Sequence, residues 1–194
     1  MQSNLKRQAI RQTIRQQRQA LTAKQQTLAQ QSIVKQIQEQ QLIQANDKIA
    51  LYLANDGELN PQGIIEHAWK IDAQVFLPVL HPFARNHLAF LKYNPDTSLI
   101  NNKFGIPEPQ LDVQFICPPA ELTHVFMPLV AFDSNGNRMG MGGGFYDRSF
   151  AHVHPKQQKI GLAHDCQQVD NLPTESWDVP LDMIITPTQL VKVK

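Results

Sequence analysis

The sequence predicts an α/β protein in which a mostly parallel sheet is flanked by helices and preceded by a pair of N-terminal helices. Residues 5–44 contain no Gly or Pro and carry apolar residues at helical spacing. From Lys48 onward, short apolar runs bounded by Gly, Pro, Asn and Asp alternate with helix-like stretches, as in α/β sheets. At 194 residues the chain can bury one core, so we expect a single domain spanning residues 1–194.

The first predicted element is a pair of helices that meet near residues 20–23. Thr22 can cap the second helix, and Gln25 completes a capping box in which each side chain satisfies a backbone donor of the other residue. The helices are also expected to bury a common apolar stripe. Its members are Ile10, Ile14, Leu21, Leu28, Ile33, Val34 and Ile37.

Strands and two further helices are predicted in the remainder of the chain. The strands are placed at residues 48–53, 74–77, 88–92, 123–127, 159–163 and 183–186. Asn60 and Pro61 are expected to open a helix that runs to about Lys70, because Asn is a good cap and Pro is tolerated in the first turn. Another helix is expected to start near Tyr146.

The composition argues against several classes of protein. A formal net charge of +1 gives no long-range basic field, so we expect no nucleic-acid partner and no membrane partner. Charges near the N-terminus and the lack of a run of about 18 apolar residues predict a cytoplasmic protein. Cys117 and Cys166 lack CxxC spacing and are expected to be reduced thiols without a catalytic role.

The sharpest local feature is the glycine-rich segment MPLVAFDSNGNRMGMGGGFYDR, residues 127–148. Glycines allow backbone N–H groups to approach an anion closely, a helix start adds unpaired donors, and Arg138 could bind phosphate oxygens in bidentate fashion. The segment has no Gly-Lys-Ser/Thr, and Phe145 stands where G-x-G-x-x-G needs its last glycine. It is therefore either a phosphate-binding loop or a structural turn packed against a strand. Its glycines are Gly140, Gly142, Gly143 and Gly144.

Two aspartates could hold a magnesium ion. Asp147 follows the glycines, and Asp178 lies in LPTESWDVPLD. Magnesium takes one or two protein carboxylates together with substrate phosphates. The alternatives are a helix cap for Asp147 and a turn residue for Asp178.

The first predicted helix carries a basic ridge, because Arg7, Arg11, Arg15 and Arg18 fall within one narrow arc. Such a ridge could meet ATP, a polyglutamate tail or solvent, and a solvated face is its commonest meaning.

Two loops could bind a heterocycle. YLANDGELN, residues 52–60, ends a strand and presents Glu58, whose carboxylate could accept hydrogen bonds from an amino-pyrimidine edge. The alternative is an exposed turn glutamate. KFGIPEP, residues 103–109, is either a plain loop or a segment in which Phe104 offers a flat face for stacking.

Taken together, these segments resemble the 5-formyltetrahydrofolate cyclo-ligase family, also called methenyltetrahydrofolate synthetase. The resemblance spans nearly the whole chain, and the long glycine segment is highly specific. Its motifs are the Arg7-x-x-x-Arg11 spacing, YLANDGEL, GIPEP, PLVAFDSNGNRMGMGGGFYDR, GLAHDCQ and LPTESWDVPLDMIIT. The resemblance implies an α/β fold similar to the sugar-phosphate isomerase and CoA-transferase group, and an ATP-dependent ligase that forms a C–N bond.

The resemblance also implies roles for individual residues. Arg138 and Asp147 would be catalytic, and Asp147 and Asp178 would hold Mg²⁺. The ATP-binding set would comprise Arg7, Arg11, Arg138, Gly140, Met141, Gly142, Gly143, Gly144, Phe145 and Tyr146. The folate-binding set would comprise Leu53, Glu58, Phe104 and Phe145. Three residues depart from the family pattern: Met141 replaces a basic residue of some relatives, Phe145 the commoner Tyr, and His164 a usual aromatic residue.

The implied reaction closes 5-formyltetrahydrofolate to 5,10-methenyltetrahydrofolate with release of ADP and phosphate. Transfer of the γ-phosphoryl group to the formyl oxygen would give an iminium phosphate that N10 can attack, so no nucleophilic side chain is needed. The expected partner is the small-molecule folate, with or without a polyglutamate tail, and a monomer is expected. The rival interpretations are another ATP-using enzyme on the same fold and a non-catalytic folate-binding or storage relative.

Overall fold

The structure is a computed structural model that describes residues 2–152 and 157–193. Within these residues it contains α1 (Gln2–Gln19), α2 (Ala23–Glu39), α3 (Gln62–Lys70) and α4 (Phe145–Ser149). The predicted N-terminal pair is confirmed. So is the capping box, because Gln25 N–H donates to Thr22 Oγ1 at 3.3 Å and Thr22 N–H donates to Gln25 Oε1 at 2.8 Å. The cap of α3 is Pro61, and the Asn60 side chain accepts a hydrogen bond from Gln62 N–H at 2.9 Å.

Within residues 2–152 and 157–193, eight strands form the central sheet and four form two small hairpins. The strands are β1 (Lys48–Ala50), β2 (Gln74–Leu80), β3 (Leu88–Tyr93), β4 (Leu99–Asn101), β5 (Pro107–Pro109), β6 (Ile116–Cys117), β7 (His124–Pro128), β8 (Ala131–Phe132), β9 (Arg138–Met139), β10 (Gln158–Leu162), β11 (Met183–Ile185) and β12 (Leu190–Lys192). The sheet order is β12-β11-β10-β7-β1-β2-β3-β6, while β4 pairs with β5 and β8 pairs with β9.

The central sheet is mostly parallel, as the sequence predicts. Strands β11, β10, β7, β1 and β2 pair in parallel, and the outer strands are antiparallel. All six predicted strands are present with shifted ends. The first ends at Ala50 instead of Leu53, whereas β2 continues to Leu80 because its antiparallel partner β3 pairs along that whole stretch. The six strands that the sequence did not predict are only two or three residues long.

The two faces of the sheet bury separate parts of the core. Ile49 packs with α2 and α3 on one face, whereas its neighbour Ala50 faces Phe76 and Phe150 on the other, as strand alternation requires. Ile33 and Ile37 of the predicted stripe are buried, as is Ile14 of α1. Leu28 is 54% exposed, which contradicts its place in that stripe because it lies on the outer side of α2.

The carboxyl ends of the central parallel strands open into a cleft. The segments after β1 and β7 line this cleft, together with the far end of β2. Loops at this edge of a parallel sheet are the usual place for ligands in α/β proteins. Helix α1 packs beside the cleft through Ile14, which contacts a small cluster that contains Val130, Met139 and Leu172.

Two further observations bear on function. Within residues 2–152 and 157–193, no helix is long and apolar enough to cross a membrane. Burial raises the pKa of Cys117 to about 11 and also raises that of Cys166, so both thiols stay protonated near neutral pH. A protonated thiol is a weak nucleophile, which agrees with the expectation that neither cysteine is catalytic.

Candidate functional site

The cleft has a volume of about 840 Å³ and is large enough for two small molecules side by side. Every residue to which the sequence assigned a site role lines it, although those residues come from five separate stretches of the chain. They are Arg7, Arg11, Leu53, Glu58, Phe104, Arg138, Gly140, Met141, Gly142, Gly143, Gly144, Phe145, Tyr146, Asp147 and Asp178.

The glycine-rich loop adopts a conformation that suits only glycine at two positions. Gly142 has φ of +95° and Gly144 has φ of +66°, both in the region that disfavours side chains. A Cβ at Gly140 would meet no atom within 4 Å, so the missing side chain leaves open room beside the backbone. Helix α4 begins at Phe145 and has only five residues, so the expected contribution of a helix dipole is small and the loop itself must bind any phosphate.

Arg11 binds the backbone of this loop. Its Nε donates to the carbonyl oxygen of Gly140 at 2.8 Å, and its guanidinium lies 3.6 Å from the position of a Cβ on Gly142. Burial and then the neighbouring charge of Arg7 lower the pKa of Arg11, although the guanidinium remains charged. A cation therefore lies against the backbone of the loop.

Arg138 and Asp147 form a nearly buried ion pair at the edge of the cleft. Arg138 Nη2 donates to Asp147 Oδ1 at 2.7 Å, and that oxygen also accepts from Val179 N–H at 3.1 Å. The Arg138 side chain is 4% exposed, and its Nε has no hydrogen-bond partner among residues 2–152 and 157–193. Because buried donors are normally paired, this guanidinium has unused capacity to bind an anion.

Arg7 and Asp178 are each other's partner. Arg7 Nη1 lies 2.6 Å from Asp178 Oδ2, and Nη2 lies 3.2 Å from Oδ1, which makes the pair bidentate. Asp178 Oδ2 also accepts from Glu175 N–H at 2.9 Å, in a turn closed by Asp178 N–H and Glu175 O at 3.0 Å. The sequence placed Arg7 on ATP and Asp178 on magnesium, so those roles would require the pair to separate.

The arrangement of carboxylates fits magnesium better than a metal that needs a complete protein cage. Among the described parts of the chain, no group of three or more His, Cys, Asp or Glu residues could hold a metal. Asp147 uses Oδ1 for its protein contacts, and no described residue donates to Oδ2. One or two carboxylates beside the glycine-rich loop match the way in which Mg²⁺ is usually held next to bound phosphates.

Glu58 is half-buried and is not the exposed turn residue of the alternative interpretation. Its backbone N–H donates to Asn55 O at 2.9 Å, and its Oε2 accepts from Asn55 N–H at 3.1 Å. Burial raises the pKa of Glu58 to about 7, while the Asn55 hydrogen bond and the charge of Arg18 oppose the shift. Its carboxyl group therefore titrates near neutral pH.

The second half of the basic ridge supports the turn that carries Glu58. Arg15 Nε and Arg18 Nη2 each lie 2.7 Å from Asp56 Oδ2, and Arg18 Nε donates to Asp56 O at 3.0 Å. Arg18 is fully buried and also donates to Leu129 O at 3.2 Å. The solvated ridge that the spacing favoured is therefore wrong for Arg18, which is buried, whereas Arg15 binds Asp56 with a side chain that is still 39% exposed.

The β4–β5 hairpin carries Phe104 to the cleft. Phe104 is 56% exposed, and its ring meets that of Phe145 edge-to-face with centroids 6.2 Å apart. Asn102 Oδ1 accepts from Phe104 N–H at 2.9 Å, while Glu108 Oε2 accepts from Asn102 Nδ2 at 3.0 Å and from Leu80 N–H at 3.2 Å. These bonds tie the hairpin to the end of β2.

Comparison with known proteins adds to this geometry. A sequence model of the 5-formyltetrahydrofolate cyclo-ligase family matches residues 3–187. The chain belongs to that family. The 5-formyltetrahydrofolate cyclo-ligase of Haemophilus influenzae is 50% identical over 181 residues, which cover 91% of this chain and 95% of that protein. The enzyme of the same name from Escherichia coli K12 is 45% identical over 179 residues, covering 91% and 98% of the two chains.

A solved structure agrees with the family assignment. The NMR structure of Aquifex aeolicus 5,10-methenyltetrahydrofolate synthetase aligns with a TM-score of 0.83 at 25% sequence identity, covering 97% of this chain and 93% of that chain. The expected family, the expected α/β fold class and the expectation of an enzyme are therefore confirmed.

Several cleft residues of this cyclo-ligase family member were missed from the sequence. Asp56, Asn102 and Glu108 support the residues that were predicted, and no local motif distinguishes them from ordinary turn residues. Trp177 was also missed, although a large aromatic residue next to Asp178 was a usable signal. His164, which departs from the family pattern, is buried and does not line the cleft. Burial, and then the charge of Arg18, lowers its pKa to about 4.

Proposed function

We propose that residues 1–194 act as one domain that converts 5-formyltetrahydrofolate to 5,10-methenyltetrahydrofolate, using ATP and Mg²⁺ and releasing ADP and phosphate. The observation that carries this proposal is a single cleft lined by two chemically different groups of residues. One group is the glycine loop with Arg11, Arg138 and Asp147, and the other contains Glu58 and Phe104. The activity named for the relatives supports the same reaction.

The reaction needs activation of the formyl oxygen, because an amide-like carbonyl cannot lose oxide. Magnesium-bound ATP supplies the phosphoryl group, whose transfer to that oxygen breaks the bond to ADP and gives an iminium phosphate. N10 then attacks the formyl carbon and loses its proton to water, and inorganic phosphate leaves with the oxygen. The protein must therefore align two bound molecules and stabilise the charge of transfer, which requires no covalent bond to a side chain.

The glycine loop and the charged residues beside it are suited to bind phosphates. Backbone N–H groups of residues 140–146 would donate to phosphate oxygens, with the room beside Gly140 allowing close approach. Arg11 and Arg138 would supply positive charge, the second with hydrogen-bonding capacity that is unused in the structure. Asp147 would bind magnesium through Oδ2. Arg7 and Asp178 would join phosphate and metal by giving up their mutual pair, which exchanges one charge partner for another without leaving either side chain unpaired.

The second group of residues, which contains Glu58 and Phe104, is suited to bind a reduced pterin. A carboxylate with two acceptor oxygens can pair with adjacent N–H donors of the amino-pyrimidine edge, and Glu58 is held in a turn that two arginines support. Leu53 and the rings of Phe104 and Phe145 would contact the flat apolar parts of the folate. We expect the protein to act in the cytoplasm as a monomer, on folate with or without a polyglutamate tail.

The proposed reaction is tested by the absorbance of methenyltetrahydrofolate. We expect its formation only with ATP present, with one ADP released per product and with activity lost when EDTA removes magnesium. ADP release without methenyl product would favour another ATP-using enzyme on this fold. Tight folate binding without turnover at high enzyme concentration would favour a storage protein.

Substitutions in the glycine loop are expected to weaken ATP binding selectively. Gly142→Val introduces a side chain at φ of +95° beside Arg11, and we expect the Kd of an ATP analogue to rise by at least about tenfold with folate affinity nearly unchanged. Gly140→Val is the strain-free counterpart, because its side chain enters open room. Calorimetric titration with each ligand measures both effects. Unchanged ATP affinity in the Gly140 variant would remove the loop from the phosphate site.

A further inference from the structure

Trp177 is the largest exposed aromatic side chain in the lining of the cleft. It is 67% exposed and lies in the turn formed by residues 175–178. Two hydrogen bonds between Glu175 and Asp178 close this turn, and the bidentate contact with Arg7 fixes it to α1. The two bonds within the turn do not involve Arg7, so they remain when Arg7 and Asp178 separate to bind phosphate and metal. The turn presents a flat apolar surface to water, and covering that surface with another flat molecule is favourable.

The contacts of helix α1 show how far this turn lies from the turn that carries Glu58. Arg7 contacts the Trp177 turn, Arg11 contacts the glycine loop, and Arg18 contacts the turn that carries Glu58. At a helical rise of 1.5 Å, Arg7 and Arg18 are separated by about 16 Å along the helix, whereas Arg7 and Arg11 are separated by about 6 Å. The order along the cleft is thus the Trp177 turn, the glycine loop and the Glu58 turn.

This order fixes the direction of a bound nucleotide. The γ-phosphate must reach the formyl group of the folate, so it has to lie on the Glu58 side of the glycine loop. The base and ribose must then extend the other way, toward Trp177. An indole face at that place matches a nucleobase, since stacking of an aromatic side chain on a base needs only two flat surfaces.

We propose that Trp177 stacks on the base of the bound nucleotide and thereby strengthens ATP binding and sets the preference for a purine. The proposal deepens the proposed function, on which it rests, and assigns Trp177 a role in binding. Because the indole lies at the end of the cleft opposite Glu58, it stabilises substrate and transition state equally. Its loss therefore changes the KM for ATP and leaves kcat nearly constant.

The first test compares three nucleotide-site ligands in Trp177→Ala and Trp177→Phe. With magnesium present, we expect the alanine variant to bind the non-hydrolysable analogue AMP-PNP about 5- to 50-fold more weakly, whereas the phenylalanine variant keeps most of the affinity. Tripolyphosphate, which has no base, should bind both variants and the original protein equally. In the alanine variant, the affinity for a cytidine analogue should fall by a smaller factor than the affinity for AMP-PNP. Equal losses for AMP-PNP and tripolyphosphate would overturn the proposal.

Fluorescence gives a second readout that does not require turnover. The chain has two tryptophans, and Trp69 is packed elsewhere, with its Nε1 bonded to Tyr93 O at 3.1 Å. Trp69→Phe leaves Trp177 as the only indole, and AMP-PNP should quench its emission while tripolyphosphate does not. Quenching by 5-formyltetrahydrofolate alone would assign Trp177 to the folate and overturn the proposal. Quenching by AMP-PNP in a protein without cyclisation activity would support the stack and reject only the proposed reaction.

Discussion

Replacing Arg138 by alanine is expected to lower kcat about a hundredfold to a thousandfold while changing folate affinity less than threefold. The Arg138 side chain is 4% exposed beside the glycine-rich loop, and only its Nη2 bonds a described side chain. In such a site a positive group stabilises the charge of the transferring phosphoryl group strongly, because little water competes with it. Single-turnover measurement of methenyltetrahydrofolate formation reports this step directly.

Arg148 is a matched control for this experiment. Its Nη1 donates to Gly143 O at 2.7 Å, so it contacts the same loop, but it is exposed to solvent. Arg148→Ala should therefore change kcat less than about threefold. Arg138→Ala also leaves Asp147 without its cation, so thermal unfolding of both variants is needed to separate lost stability from lost catalysis. Normal turnover with weakened folate binding would place Arg138 at the folate end of the cleft.

Glu58→Gln is expected to weaken 5-formyltetrahydrofolate by about tenfold to a hundredfold at pH 8, with the Kd of an ATP analogue unchanged. Glutamine keeps the shape of the side chain but has one acceptor oxygen where the pterin edge presents two adjacent donors. Gln62→Ala is a control, because Gln62 lies nearby on α3 and its side chain bonds Glu66. Equal weakening of folate and ATP analogue by Glu58→Gln would remove this residue from pterin recognition.

The pKa of Glu58 gives this prediction a pH dependence. Because burial raises the pKa from 4.5 to about 7, the carboxylate gains a proton as the pH falls through 7, and wild-type folate affinity should fall with it. The Glu58→Gln side chain does not titrate, so the folate affinity of the variant should not fall with pH for this reason. The sign for stability is opposite: the folded state holds the proton more tightly than the unfolded state, so wild type loses stability between pH 4.5 and 7 as the pH rises. The variant should therefore gain stability relative to wild type between pH 5 and pH 8, as thermal unfolding would show.

The features that the sequence predicts best are those that local rules decide. The capping box of Thr22 and Gln25 depends on residues three positions apart, and it forms as predicted. The glycine at position 142 was identified from its pattern, and the structure gives the positive φ that explains it. The site residues could be predicted because the motifs that carry them occur together in the sequence. In the structure these residues line one cleft.

What the sequence could not provide are the partners of charged side chains. The spacing of the arginines in α1 predicts one narrow arc, but nothing in that spacing indicates that Arg18 would be fully buried against Asp56. Likewise, Arg7 and Asp178 were assigned to different ligands, although they bind one another. Such pairs depend on how distant segments approach in three dimensions, and the two- and three-residue strands were missed because so short a stretch has no measurable periodicity.

The contact between Arg7 and Asp178 joins residues that are 171 positions apart in the chain. At translation rates of 5–20 residues per second, Arg7 is synthesised roughly 9 to 34 seconds before Asp178. Helix α1 can form early, but Arg7 can reach its carboxylate partner only after Asp178 has been synthesised. The part of the cleft that contains Arg7 and Asp178 is therefore completed long after α1 has been synthesised.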